Sequence, residues 1–289
     1  MSHPCLGLAT IPPDYRPIVS AILSLSLLSI VGCAAVPLEQ ANSLTSYEGL
    51  IPNNGRSTKA NYIVSSGDLG AAKTIYIEPT MVSGAAIQSA KKSSDRALVA
   101  NVISRALCVG VSDRFEVVSR KDDADLIVHA TITQIVPTNP TVAGLSTATS
   151  LGASVFSSVP VPRLPFGLGG LSVEAEATTR EGKQVGAMVW AKGANFVTTN
   201  ARVSQIGDAY SLAASFAGDF SKMLVTGKTP FKGLPKIPSG QRIKSGLGGK
   251  PKYPACEIFG RSPGLKDLAG SQVGMPPSWT DKQRPTEAQ

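Results

Sequence analysis

The chain predicts an α+β domain: a mixed, mostly antiparallel sheet with helices packed on one face. Three observations carry this. Segments 126–133 and 171–177 alternate with period two, and segments 98–107 and 212–223 repeat apolar residues every three or four positions. The order of elements is strand, helix, strand, strand, hairpin, helix, which suits one sheet covered by helices rather than a run of parallel βαβ units.

The first strand is Lys73-Thr74-Ile75-Tyr76-Ile77-Glu78, stopped by Pro79, which cannot donate to a ladder. A helix is expected from Ser94-Asp95, with Leu98, Val102 and Ala106 on one face beside Val99, Ile103 and Leu107, ending near Gly110. Phe115 to Val118 reads as a short strand. Asp122, Asp123 and Asp125 read as turn residues ahead of the strongest strand, where Leu126, Val128, Ala130 and Ile132 alternate with Ile127, His129, Thr131 and Thr133. Leu171 to Ala177 and Val185 to Ala191 pair as a hairpin across Arg180-Glu181-Gly182-Lys183. Asp208 is placed as the cap of a last helix, Ala209 to Leu224, with Leu212, Phe216, Phe220 and Met223 as its stripe. These elements bound a folded domain at 61–227.

Three stretches lie outside this pattern. Residues 33–60 are polar and unpatterned and read as a flexible tether. Pro140 to Gly170 carries Arg163 as its single charge and reads as an insertion, either a mobile extension or an apolar element that meets a membrane or a partner. Residues 228–289, rich in Lys, Pro and Gly, are expected to be disordered. This tail holds eleven basic and four acidic residues, so it carries +7 of the net +8.

Residues Ile18 to Ile30 are uncharged and mostly apolar, and Val31-Gly32-Cys33 follows at once. Such a run is too short for a membrane span and suits a signal-peptide core. It resembles a bacterial lipoprotein signal. The resemblance implies cleavage between Gly32 and Cys33, acylation of Cys33, and a mature chain of 257 residues. Ala34, in place of the Asp that retains such proteins in the inner membrane, implies the outer membrane, facing the periplasm. Beyond a signal peptide there is no nucleic acid to meet, so anionic headgroups or acidic cell-wall polymers are the expected partners of the basic tail.

Candidates for chemistry are few. His129 is the one histidine after Cys33, in mid-strand, and reads as structural. Glu174 and Glu176 share a strand face about 7 Å apart. Paired carboxylates can do acid–base work, but half-exposed strands show the same alternation. Asp122, Asp123 and Asp125 lack calcium-loop spacing, and Gly246, Gly248 and Gly249 before Lys250 lack phosphate-loop spacing. No metal site, cofactor or catalytic residue is nominated. Cys108 and Cys256 form an even pair in an oxidising compartment. Either they are bridged, or Cys108 is a buried apolar residue and Cys256 a free thiol.

In order and spacing, residues 47–226 resemble the domain-of-unknown-function 3313 group of bacterial lipoproteins. The resemblance rests on the run ending in Cys33, Ile75-Tyr76-Ile77-Glu78-Pro79, Ala124-Asp125-Leu126, Val173-Glu174-Ala175-Glu176 and the helix from Ala209 to Leu224. It implies a lipid-anchored domain and no functional residues. More distantly, the layout is similar to periplasmic α/β domains of assembly lipoproteins. The expectation is a non-enzymatic outer-membrane lipoprotein whose periplasmic domain binds another envelope protein. An oligomeric secretion or pore component and an envelope hydrolase are the alternatives.

Overall fold

The structure, a computed structural model, describes residues 36–55, 58–154, 163–232 and 237–282. The expected class is found. Strands β1 (Ile51–Asn54), β2 (Thr58–Val64), β3 (Thr74–Ile77), β4 (Met81–Val82), β5 (Glu116–Val117), β6 (Leu126–Val136), β7 (Gly170–Thr179) and β8 (Gln184–Gly193) form one sheet. Its order is β1-β2-β8-β7-β6-β3-β5, with β4 also on β6. The pairs among β1, β2, β8, β7 and β6 are antiparallel, while β3 and β4 run parallel to β6 and β5 parallel to β3. Pro79 lies between β3 and β4, so two short strands share one long partner.

One face is covered by α3 (Ser93–Val111) and α5 (Gly207–Thr226). The shorter α1 (Ser66–Ala71) and α2 (Gly84–Ser89) precede them. Leu171, Val173, Ala175 and Ala177 of β7 meet Leu98, Val102, Phe216 and Phe220 in the main core. Trp190 packs edge-on to Phe216, which stacks on Phe220. α3 ends at Val111, next to the expected Gly110. Gly110 lies inside the helix, where a Cβ would fall 2.3 Å from Ser221 Oγ of α5, so glycine sets the closeness of the helix crossing.

Four expectations are corrected. Residues from Val36 onward do not behave as a tether: Val36 and Leu44 are buried, and β1 and the start of β2 lie before residue 61. Pro140 to Gly170 is not one structureless insertion, because Pro140–Ser154 is a helix, α4. Residues 155–162, including Pro160 and Pro162, lie outside the described set. Asp208 does not cap α5; it is inside the helix, fully buried and ion-paired.

The fourth correction concerns the tail. Residues 237–282 hold α6 (Gly240–Gly246), a 3-10 turn (Pro254–Phe259), α7 (Leu265–Gln272) and α8 (Pro277–Thr280). This segment lacks a hydrophobic period because it is fastened by long-range polar contacts instead. Arg105 of α3 pairs with Asp281 (2.6 Å), whose carboxylate also accepts from Tyr210 Oη. Arg202 pairs with Asp267 (2.7 Å) and donates to the Met275 carbonyl and the Thr280 hydroxyl. Lys252 donates to the Ser112 carbonyl, and Cys256 is bonded to Cys108.

Candidate functional site

The second face of the sheet carries the most concentrated chemistry. Alternation along β7 sends Val173, Ala175 and Ala177 to the helix core, so Ser172, Glu174 and Glu176 point the other way. An exposed face is the ordinary fate of such residues, yet Glu174 and Glu176 are both buried. What covers them is residues 36–50, which have no helix or strand of their own and run along β7 as a strap.

The strap is held by the two carboxylates. Glu174 Oε1 accepts from the Ala41 amide (3.2 Å), the Ser43 amide (2.8 Å) and the Ser43 hydroxyl (2.6 Å), and Oε2 accepts from the Tyr47 hydroxyl (2.8 Å). Glu176 accepts from the Thr45 amide and hydroxyl, both at 2.8 Å, and from Gln184 Nε2 at 2.7 Å. A buried carboxylate is tolerable only when its lone pairs are filled, and here N–H and O–H donors fill them without a cation. Leu44, with Leu38, Tyr47 and Leu50, packs on Ala187, Val189 and Ile63. Burial first, and then the hydrogen bond to Glu174, push the Tyr47 phenol up to about 12.

The carboxylates join a longer polar chain. Ser43 Oγ, whose proton goes to Glu174, lies 2.9 Å from Thr131 Oγ1, which lies 3.3 Å from His129 Nε2. His129 Nδ1 is 3.1 Å from Glu78 Oε2, and Lys121 Nζ is 2.8 Å from Glu78 Oε1. Burial opposes ionisation of Glu78, but the hydrogen bonds from Lys121 and His129, with their charge, outweigh it and hold the carboxyl below its ordinary range. Thr131, His129 and Glu78 thus stand in the hydroxyl–imidazole–carboxylate order of a nucleophilic triad. The hydroxyl, however, is buried beneath Ser43, so a substrate could reach it only after the strap leaves.

The other residues singled out in the sequence fall elsewhere. Asp125 accepts from the Thr74 and Lys73 amides, which lower its carboxyl, while Asp122 and Asp123 lie exposed beside Arg120. Gly246, Gly248 and Gly249 end α6, with the Gly249 amide on the Lys244 carbonyl and the Lys250 carbonyl accepting from Gln241. Cys108 and Cys256 are brought together as a disulfide, S–S 2.04 Å. Gly32 and Cys33 lie outside the described residues. Among those described, no group of three or more His, Cys, Asp or Glu could hold a metal, and no helix is long and apolar enough to cross a membrane.

One buried pair was missed in the sequence. Arg163 Nη1 lies 2.6 Å from Asp208 Oδ1, and Asp208 Oδ2 accepts from the Gly169 amide at 2.7 Å. Arg163 is the single charge in Pro140 to Gly170, and that isolation was the available signal for a buried, paired role.

No curated protein matches the sequence. Among solved structures, the chain is similar to a PelC dodecamer from Paraburkholderia phytofirmans, with 8% identity, 58% of this chain and 97% of that one covered, and a TM-score of 0.36. It is also similar to a DUF4136 family protein from Bacteroides thetaiotaomicron, with 14% identity, 59% and 97% covered, and a TM-score of 0.31. The model of the family described as "Protein of unknown function (DUF3313)" matches residues 39–220, which take in the strap from Glu39, the whole sheet and most of α5, and the chain belongs to that family.

Proposed function

We propose that this protein is an outer-membrane lipoprotein, anchored through acylated Cys33, whose domain is a non-catalytic adaptor for another envelope component. The observation that carries the adaptor reading is the occupancy of Glu174 and Glu176. The carboxylate pair best placed for acid–base work already accepts seven hydrogen bonds, six of them from the strap itself. The Thr131 hydroxyl is covered by the same segment. The uncharged run ending at Cys33 supports the anchor.

The test is intact-mass analysis of the chain extracted from cell envelopes, joined to chemical cross-linking before extraction. The expected chain begins at Cys33, carries fatty acyl mass, fractionates with the outer membrane and cross-links to a defined envelope protein. An unmodified Cys33 in a soluble chain overturns the anchor. Release of products from purified cell-wall sacculi, abolished by His129→Ala, overturns the adaptor reading.

A further inference from the structure

The strap changes what an anchor at Cys33 would do. A free chain over 33–60 would have a root-mean-square reach of about 30 Å. The strap is seated from Val36, a buried residue. Val36 is three peptide links from Cys33, a span of at most about 11 Å. The headgroup layer of a bilayer is itself about 5–7 Å deep.

Val36 marks one end of the sheet. A Cβ on Gly170 would fall 2.2 Å from Val36 Cγ2, and Gly170, the first residue of β7, pairs with Val136 and Gly193, the last residues of β6 and β8. The loops leaving those strands gather at the same end. The Thr138 amide donates to the Gln205 carbonyl and the Asn139 amide to the Gly167 carbonyl, Thr147 of α4 donates to the Ala201 carbonyl, and the Val203 amide donates to the Gly274 carbonyl.

This end presents apolar side chains, with Glu39 of the strap, Lys192 of β8 and Lys266 of α7 the charges that flank them in the described chain. Leu145, Phe166, Val197, Val203 and Val273 are between 41% and 64% exposed. In segments 137–154, 163–173 and 193–208 the charged residues are Arg163, Arg202 and Asp208, all three buried in ion pairs. A rim of this kind can enter the interfacial zone without desolvating an unpaired ion.

We infer that this end of the domain, with Leu145, Phe166, Val197 and Val203, rests on the bilayer surface, held there by the short span to Cys33. The inference rests on the anchoring proposed above. Anchoring alone would leave the domain free to face any direction; the seated strap fixes which end meets the lipid.

The experiment uses the full lipidated chain, purified from envelopes and reconstituted into vesicles containing lipids brominated on their acyl chains. A Trp279→Phe background leaves Trp190, buried under α5, as the remaining natural tryptophan. Val197→Trp reports the proposed face. Glu181→Trp, in the β7–β8 turn, reports the far end, about 30 Å away along the strand. The same samples are weighed by intact mass. An acylated Cys33 with Val197→Trp quenched severalfold more than Glu181→Trp supports the inference. Acylated Cys33 with equal quenching at the two positions overturns the inference and leaves the anchor standing. Acylated chains in which residue 197 cross-links to another copy and is shielded from lipid assign the face to a second protomer instead. An unmodified Cys33 removes both readings.

Discussion

Glu174→Gln should open the strap while leaving the sheet and helices folded. Glutamine keeps the shape and one acceptor oxygen, so Ala41 and Ser43 retain a partner, and the Tyr47 hydroxyl can turn to accept from the new amide. What is lost is the charge. Hydrogen bonds to ionised groups contribute about 1 kcal/mol more each than neutral ones. Four such bonds end on Glu174. Relief from burying a carboxylate offsets part of that loss, which leaves a net cost of about 2 kcal/mol. Because the strap has no helix or strand bonds of its own, the cost falls on its local opening rather than on global unfolding. An opening equilibrium shifted by about 2 kcal/mol accelerates amide exchange roughly 30-fold. The assay is hydrogen exchange read at Ala41, Ser43 and Thr45, with amides of α3 and α5 as the unchanged reference. Thr45, which bonds Glu176, should accelerate with the others if the strap opens as one unit. Acceleration below about threefold at Ser43, or equal acceleration in α5, would refute the reasoning.

Four further outcomes follow from the same contacts. Tyr47 should titrate near 12, measured as the difference in tyrosinate absorbance between wild type and Tyr47→Phe. Between pH 10 and 12 the unfolded chain has lost a proton that the folded chain keeps, so the strap's stability should fall across that window in wild type and not in the variant. Glu78→Gln should destabilise at neutral pH, and the penalty should vanish as pH falls through the depressed carboxyl of Glu78, where the wild-type ion pair with Lys121 is itself lost; urea titrations at both pH values decide it. Asp281→Ala leaves the buried Arg105 guanidinium without its partner and should cost about 3–5 kcal/mol in the same assay. Replacing Cys108 and Cys256 together by Ser opens a loop of sequence separation 148 and should cost about 5 kcal/mol on the chain-entropy account. A loss under about 1 kcal/mol would mean that the ion pairs alone hold the tail.

What was legible in the sequence is what periodicity reports. β6, the β7–β8 hairpin, α3 and α5 all bury a regular face, so their apolar residues recur at 2.0 or 3.6, and each is found within a few residues of its expected place. The strap and the tail bury few apolar side chains and many polar groups, and hydrogen bonds between residues more than a hundred positions apart leave no local pattern. Glu174 and Glu176 were correctly placed on one strand face, but alternation cannot distinguish a face covered by a polar segment from one covered by water. Asp208 carried the right signal for the wrong reason. An acid at a helix start usually caps, whereas this one turns inward to Arg163 and the Gly169 amide. The even cysteine count left two readings open because geometry, not spacing, decides a bridge.

The pairing of an irregular strap with a carboxylate strip has a physical logic. A segment without helix or strand has backbone amides with no internal partner, and burying them unpaired would cost more than its few apolar contacts return. The usual remedy is to add a strand at a sheet edge. Here the segment crosses a sheet face, where the backbone groups of β7 are already spent on β6 and β8. Only side chains can then supply acceptors, and a carboxylate supplies the most per residue. Two of them, spaced two apart on one strand, match amides spaced two apart on an extended chain, Ser43 to Glu174 and Thr45 to Glu176. The acids therefore select a chain of small hydroxyl residues running alongside β7, and they hold it without a cation that would have to be buried as well. Replacing Ser43 and Thr45 by Val removes two of the six strap bonds and keeps the amide bonds, so it should loosen the strap less than removing the acids does, and faster exchange in the double Val variant than in Glu174→Gln would refute the match of amides to carboxylates.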